Sequence, residues 1–289
     1  MSPKKRILQT TLKIIFAFVV ASSSTATVAI AASSPWIAGH KAKVRLVSGG
    51  AAGAEAGSSL AFVQIALEPG WKTYWRTPGD AGGLPPSFDW SNSTNVANAT
   101  VEFPAPRRFT DKSGSTIGYH DVVVLPVTVT PKDPGAPVSL VLGLHYGICK
   151  EICVPVEAEL ALKLPHDESE ALPAEIEEAL KLIPRPQDKL AAGDPVLMAA
   201  TAKLDGAEPR INIEARFPDG AAGADAFVEA PDGAFIPLPQ QVGKTDSSGR
   251  ALFEVPLGAD IDLPGLKGKT LTVTLVSDTG ASYATFVAE

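Results

Sequence analysis

A chain of 289 residues with 45% hydrophobic and 20% charged side chains has room for two globular domains and is too apolar to be wholly disordered. A net charge of −7 lacks the basic footprint that a nucleic-acid partner needs, and Gly 25 with Pro 25 favours turn-rich β structure over long helices. Two cysteines allow one bridge at most, and four His with two Met leave little material for a soft-metal centre.

Residues 1–31 read as an export signal. Lys4, Lys5 and Arg6 are followed by the short apolar run 14–21 (IIFAFVVA), and Ala29-Ile30-Ala31 fits a small-residue cleavage pattern. A permanent anchor is the competing reading, since residues 14–39 carry no charge, but residues 22–27 (SSSTAT) are too polar for a good hydrocarbon span. Cleavage near Ala31 removes four basic residues (Lys13 is the fourth) and no acids, which moves the net charge to −11. The expectation is a mature periplasmic protein that does not span the membrane, whose thiols meet an oxidising compartment.

From residue 33 to 165, short alternating runs are separated by Gly, Pro, Asn and Asp. Strands are expected at 42–47 (AKVRLV), 59–67 (SLAFVQIAL), 71–75 (WKTYW), 96–103, 121–130 (DVVVLPVTVT), 139–148 and 154–164. Seven such strands suggest an antiparallel sandwich. Residues 166–191 form a connector whose stretch 166–186 (HDESEALPAEIEEALKLIPRP) has helical character. Acids crowd its start, Ile176, Ala179, Leu180 and Ile183 share a stripe, and Pro184 and Pro186 stop it. The strand pattern resumes over 192–289, at 196–203, 210–217, 226–230, 251–256, 270–276 and 282–287, with no Cys and no His. The fold class expected is all-β: two tandem immunoglobulin-like sandwiches joined by a short helix.

The chemistry concentrates in residues 139–164 (SLVLGLHYGICKEICVPVEAELALKL). Even-numbered apolar residues alternate with others on both sides of the turn, so the even positions face the core and Cys149 and Cys153 face outward. Three residues, Lys150-Glu151-Ile152, separate the cysteines, which makes the strands antiparallel and sets Cys149 opposite Cys153, Gly147 opposite Pro155 and His145 opposite Glu157. Directly opposed residues are about 4.5–5.5 Å apart at Cα, close enough for a bridge. The turn lacks the usual glycine, so a single helical turn is the alternative. It too brings the sulfurs together. A five-residue ring stabilises a fold by only about 2 kcal/mol, against about 3 for fifteen residues. That favours an exchange-active pair over an inert staple, with Gly143 and Gly147 expected to leave the sulfurs open. C-x-x-x-C is not the thioredoxin C-x-x-C, which is absent.

Four ordered motifs carry a resemblance: GWKTYWRTPGDAGGLPPSFDW (70–90), FPAPRRF (103–109), IGYHDVVVLPV (117–127) and YGICKEICVP (146–155). Over about residues 44–164 the chain resembles the DsbD N-terminal (alpha) domain family, and within it the amino-terminal region of ScsB-like proteins, which has two tandem sandwiches. The resemblance implies an immunoglobulin-like sandwich whose cysteine pair, Cys149 and Cys153, relays electrons from a thioredoxin-like protein fed by a separate membrane donor to disulfide-bonded clients. It implies that Cys153 forms the mixed disulfide and Cys149 resolves it. It also implies a cap loop, for which Pro78, Gly79, Asp80, Ala81, Gly82, Gly83 and Leu84 are the candidates. A tight surface turn would use the same glycines. The sequence shows neither a multi-helix membrane domain nor a thioredoxin-like domain, so the electrons are expected from another protein.

Other groupings are weaker. Trp71, Tyr74, Trp75 and Trp90 are expected as packing rather than as a binding platform. His145 is read as an exposed cross-strand partner of Glu157. A Cu(I) site from Cys149, Cys153 and His145 is chemically conceivable but lacks a Met cluster or second His, so no metal and no cofactor is expected. The alternatives to electron relay are a non-enzymatic envelope adaptor with a structural disulfide, and a Cu(I)-handling protein.

Overall fold

The computed structural model describes residues 31–50, 57–112, 114–164, 172–218, 220 and 222–289. Apart from Ala31, the expected export signal lies outside them, as does the start of the expected connector.

Two sheets face each other in the first unit. One runs in the order Ile37–Ala38, Ala42–Gly50, Ser59–Leu67, Val122–Pro131, Val96–Val101, and the other Cys153–Leu164, Val138–Cys149, Lys72–Tyr74, Gly114–His120, Arg107–Asp111. The short strand Ser87–Asp89 also pairs with Val138–Cys149, opposite Gly143, Leu144 and His145. The pleat explains the core: Val63, Ile65, Leu140, Leu142, Leu144 and Ile148, all fully buried, come from inward positions of the two sheets.

Ser59–Leu67 is apolar on both faces, and the structure shows why. Its alternate residues Leu60 and Phe62 pack outward with Val47, Val124 and Ala31 beneath Ile176 of a helix, Ala174–Leu180. Arg45 fastens that helix through Glu175 at 3.1 Å. The helix is shorter than the sequence pattern suggests. After Lys181 the Leu182 carbonyl accepts the Ala105 N–H at 2.7 Å, and Arg185–Pro186 already pairs in parallel with Ala281–Val287. Pro184 and Pro186 bring no N–H to continue the helical ladder, so the chain is free to pair elsewhere.

One further pairing has no strong signal in the sequence. The hairpin Arg107–Asp111/Gly114–His120 was read only as motif, because its polar composition has no strong period-2 signal. At its end Asp121, with φ 60°, turns the chain from one sheet into the other, a conformation that a short polar side chain tolerates.

The second unit has two four-stranded sheets, Arg185–Pro186, Ala281–Val287, Thr270–Val276, Asp225–Glu229 and Val196–Lys203, Arg210–Arg216, Arg250–Pro256, Gln240–Val242. Ile211, Ile213, Phe217, Val255, Leu271 and Val273 form its core. The structure is therefore the all-β, double-sandwich class expected. The units share buried surface: Phe227, Leu238, Val276 and Ala281 of the second join the core of the first, with Phe227 5.6 Å from Trp75 between ring centroids. Half-buried Arg108 forks onto Asp225 at 2.8 and 2.6 Å, a paired geometry that adds direction to the apolar contact.

Candidate functional site

Val138–Cys149 and Cys153–Leu164 form one long hairpin, and its register is the expected one: His145 opposite Glu157, Gly147 opposite Pro155, Cys149 opposite Cys153. The two sulfurs are bonded, with the Cα atoms 4.1 Å apart. Lys150, Glu151 and Ile152 form an exposed turn without a positive φ, so no glycine is required there. Ile152 is 67% exposed.

The surroundings of the bridge differ from the expectation in one respect. Both cysteines were expected on an open outward face, yet only Cys153 is exposed, and Cys149 is 8% exposed. The cause is a neighbouring strand. Lys72–Tyr74 pairs with the end of the hairpin strand, Cys149 opposite Lys72 and Ile148 opposite Thr73, and the Thr73 hydroxyl donates to the Gly147 carbonyl at 2.7 Å. Outward from the core is therefore not outward into water.

Gly147 is also covered. Its N–H donates to the Leu84 carbonyl at 2.9 Å, and a Cβ there would lie 2.9 Å from both Leu84 Cβ and Tyr74 Cε2. Its missing side chain admits the Tyr74 ring, whose hydroxyl lies 3.0 Å from Cys153 Sγ. Gly83 lies against the other part of the ring: a Cβ at that position would come within 2.2 Å of Tyr74 Cε1. Residues 83 and 84 thus sandwich Tyr74 against the hairpin beside the bridge. Burial, reinforced by the Asp111 carboxylate, holds the Tyr74 hydroxyl above its ordinary pKa, so it is a neutral O–H donor at physiological pH. Sequence reasoning grouped Tyr74 with core aromatics and missed this contact. The signal is a glycine facing an aromatic across two strands, visible only once their register is known.

The remaining candidates fall as follows. Tyr74 and Trp75 are fully buried and Trp71 and Trp90 half-buried, which is packing rather than a platform. His145 Nδ1 stands 3.3 Å from Glu157 Oε1, both exposed. Among the described residues, no three His, Cys, Asp or Glu side chains gather as a metal site. The segment 78–84 is a turn, in which the Gly82 N–H donates to the Gly79 carbonyl at 3.1 Å, Gly79 and Gly82 both having positive φ.

Residues 43–165 match the family model described as "Thiol:disulfide interchange protein DsbD, N-terminal". Among solved structures, the N-terminal periplasmic domain of ScsB from Proteus mirabilis superposes with a TM-score of 0.65 at 20% identity, covering 90% of this chain and 99% of that one. Bovine butyrophilin aligns over 80% of this chain and 91% of its own at 8% identity, with a TM-score of 0.24 on which nothing rests. No curated protein sequence matches the chain. The resemblance drawn from the four motifs is thus borne out, and the double-sandwich fold is shared with that ScsB domain. Among the described residues no helix is long and apolar enough to cross a membrane.

Proposed function

We propose that the chain is an exported thiol–disulfide exchange protein that passes electron pairs through Cys149 and Cys153, with Cys153 as the sulfur that bonds to partners. The observation that carries this reading is the asymmetry of the bridge: one cysteine exposed at a hairpin tip with its sulfur beside a neutral phenol, the other cysteine covered. A structural staple has no use for that arrangement, and a five-residue ring contributes little as one. The match of residues 43–165 to a thiol:disulfide interchange family supports the same reading.

In the reduced state the Cys153 thiolate attacks one sulfur of a client disulfide. The client S–S bond breaks, a Cys153–client mixed disulfide forms, and the departing client sulfur takes up a proton. The Cys149 thiolate then attacks Cys153 Sγ, which re-forms the internal bridge and releases the second client sulfur, also protonated. Each cycle moves two electrons and two protons to the client. Recharging runs the same steps in reverse, with the dithiol of a thioredoxin-like protein attacking Cys153 Sγ and a separate membrane protein supplying that dithiol. Leu84, 45% exposed, and Ile152 give the sulfur an apolar rim for such a partner. Residues 79–83 are the cap over the site in this reading, and the compartment is the periplasm.

The test is Cys149→Ala in the exported protein. It should accumulate adducts that a reductant releases and that vanish when Cys153 is also replaced. An absence of adducts, together with a bridge potential below about −300 mV against glutathione, would leave the disulfide a structural element of an adaptor.

A further inference from the structure

The segment beside the sulfurs is held from two sides. Its own sandwich binds it through the Ile117 N–H on the Pro78 carbonyl at 2.8 Å and the Ala81 N–H on the Ser115 carbonyl at 3.0 Å. The second sandwich binds it at the root and at the tip. Arg76 forks onto Glu229 at 2.8 and 2.6 Å, with the Thr77 hydroxyl 3.4 Å from the same carboxylate. At the tip, Asp80 Oδ1 accepts the Leu238 N–H at 2.9 Å.

These contacts are built into the fold. Leu238 is 4% exposed and belongs to the first unit's core cluster, in a stretch that forms no strand, so its N–H has no ladder partner. A buried N–H left unpaired is costly, which ties Leu238 to Asp80. Arg76 is also stacked 4.1 Å from the Trp75 ring centroid, and Trp75 meets Phe227. Asp80 sits in the tight turn closed between Gly79 and Gly82, and the next residue, Gly83, bears on the Tyr74 ring. A continuous series of contacts therefore runs from the second sandwich through Asp80 and the turn to Tyr74 and Cys153 Sγ. A cleft of about 300 Å³ between the turn and the 233–238 stretch, lined by Pro78, Asp80, Ile117, Ile236 and Leu238, leaves room for the turn to move once released.

Resting on the reading that this segment caps a reactive sulfur, we infer that the second sandwich regulates access to the bridge by mooring the cap, with Asp80 and Glu229 as positioning residues. The second unit carries no cysteine of its own and acts by setting how often the cap lifts.

The experiment measures the rate at which dithiothreitol reduces Cys149–Cys153 in the oxidised protein. Asp80→Ala should accelerate reduction by about tenfold or more, the lower end of the shift in an opening equilibrium when a hydrogen bond to a charged group is lost. Asp80→Asn, which keeps a neutral side-chain oxygen for the Leu238 N–H, should give a rate between the parent's and that of Asp80→Ala, and Glu229→Ala should raise the rate in the same sense as Asp80→Ala. Melting curves of all three should show intact folds. An Asp80→Ala rate equal to the parent's, or an Asp80→Asn rate as fast as Asp80→Ala, overturns the mooring. Because the small reductant reports access alone, an unchanged rate with Cys149→Ala adducts present defeats this inference and not the relay. A faster rate without adducts defeats the relay and not this inference.

Discussion

Tyr74→Phe removes one oxygen from the molecule, the one 3.0 Å from Cys153 Sγ. In the oxidised protein that contact is weak, because a disulfide sulfur is a poor acceptor. Reduction turns Cys153 into a thiolate, and the same O–H then donates to a full negative charge. A hydrogen bond to a charged group is worth about 1.5–3 kcal/mol, and one pKa unit is about 1.4 kcal/mol, so loss of the phenol should raise the Cys153 pKa by about 1–2 units. Tyr74 itself does not titrate in the relevant range, since burial and Asp111 hold its own pKa above 10. At pH 7 the thiolate fraction then falls by about 10–100-fold. The more basic thiolate is intrinsically more nucleophilic and recovers about half of that on a logarithmic scale, which leaves exchange about 3–10-fold slower. The assay is the pH profile of alkylation of the single thiol in a Cys149→Ala background, with and without Tyr74→Phe. Profiles whose midpoints coincide within about 0.3 units would refute the reasoning, because geometry alone would then have placed the ring there.

Gly83→Ala tests the cover from within the first sandwich. A Cβ 2.2 Å from Tyr74 Cε1 must retreat to an ordinary carbon contact of about 3.5–4.0 Å, so the segment is pushed off the ring and dithiothreitol should reduce the bridge faster than in the parent. An unchanged rate would mean that residues 79–84 shield nothing. Alkaline stability tests the buried tyrosines: burial raises Tyr146 to about 12, while the unfolded chain titrates near 10. The unfolded state therefore loses its proton first. Stability present below pH 10 declines as the pH climbs to 12, by about 3 kcal/mol from this residue, and Tyr119 adds in the same sense. Urea midpoints should fall less steeply over that window in Tyr146→Phe, and parallel curves would remove the phenol as the cause.

Local alternation carried much of the fold into view. Ser59–Leu67, Val196–Lys203 and Thr270–Val276 fall where apolar runs between turn signals place them, and the hairpin register follows from three intervening residues and a period of two. Elements held by distant partners were not visible. Arg107–Asp111 and Gln240–Val242 are polar and short, and exist as strands because a longer neighbour offers its edge. The helix ends where the Lys181, Leu182 and Ile183 N–H groups bond three residues back and Pro184 offers none, and the Leu182 carbonyl is then free to meet Ala105, 77 positions earlier in the chain. The same holds at the site. Both cysteines, their pairing and the neighbouring His145–Glu157 pair could be read from one stretch of chain. Tyr74, Leu84 and the Asp80–Leu238 contact could not, since each depends on a register or a packing between segments far apart in sequence.

That division bears on how the two sulfurs differ. Alternation assigns Cys149 and Cys153 the same face of the hairpin and so makes them equivalent. The adjoining Lys72–Tyr74 strand lies on the Cys149 side only, because Cys153–Leu164 is the edge of its sheet, with no strand beyond it among the described residues. One sulfur is therefore flanked by strands on both sides and the other by a strand on one. A thiolate approaches along the S–S axis from the side opposite the leaving sulfur, and under the proposed relay the free edge is the side from which it would reach Cys153 and expel Cys149. In that proposal the order of bond making is set by strand position in the sheet. Any variant that adds cover along the Cys153 edge should slow exchange without altering the register of the hairpin.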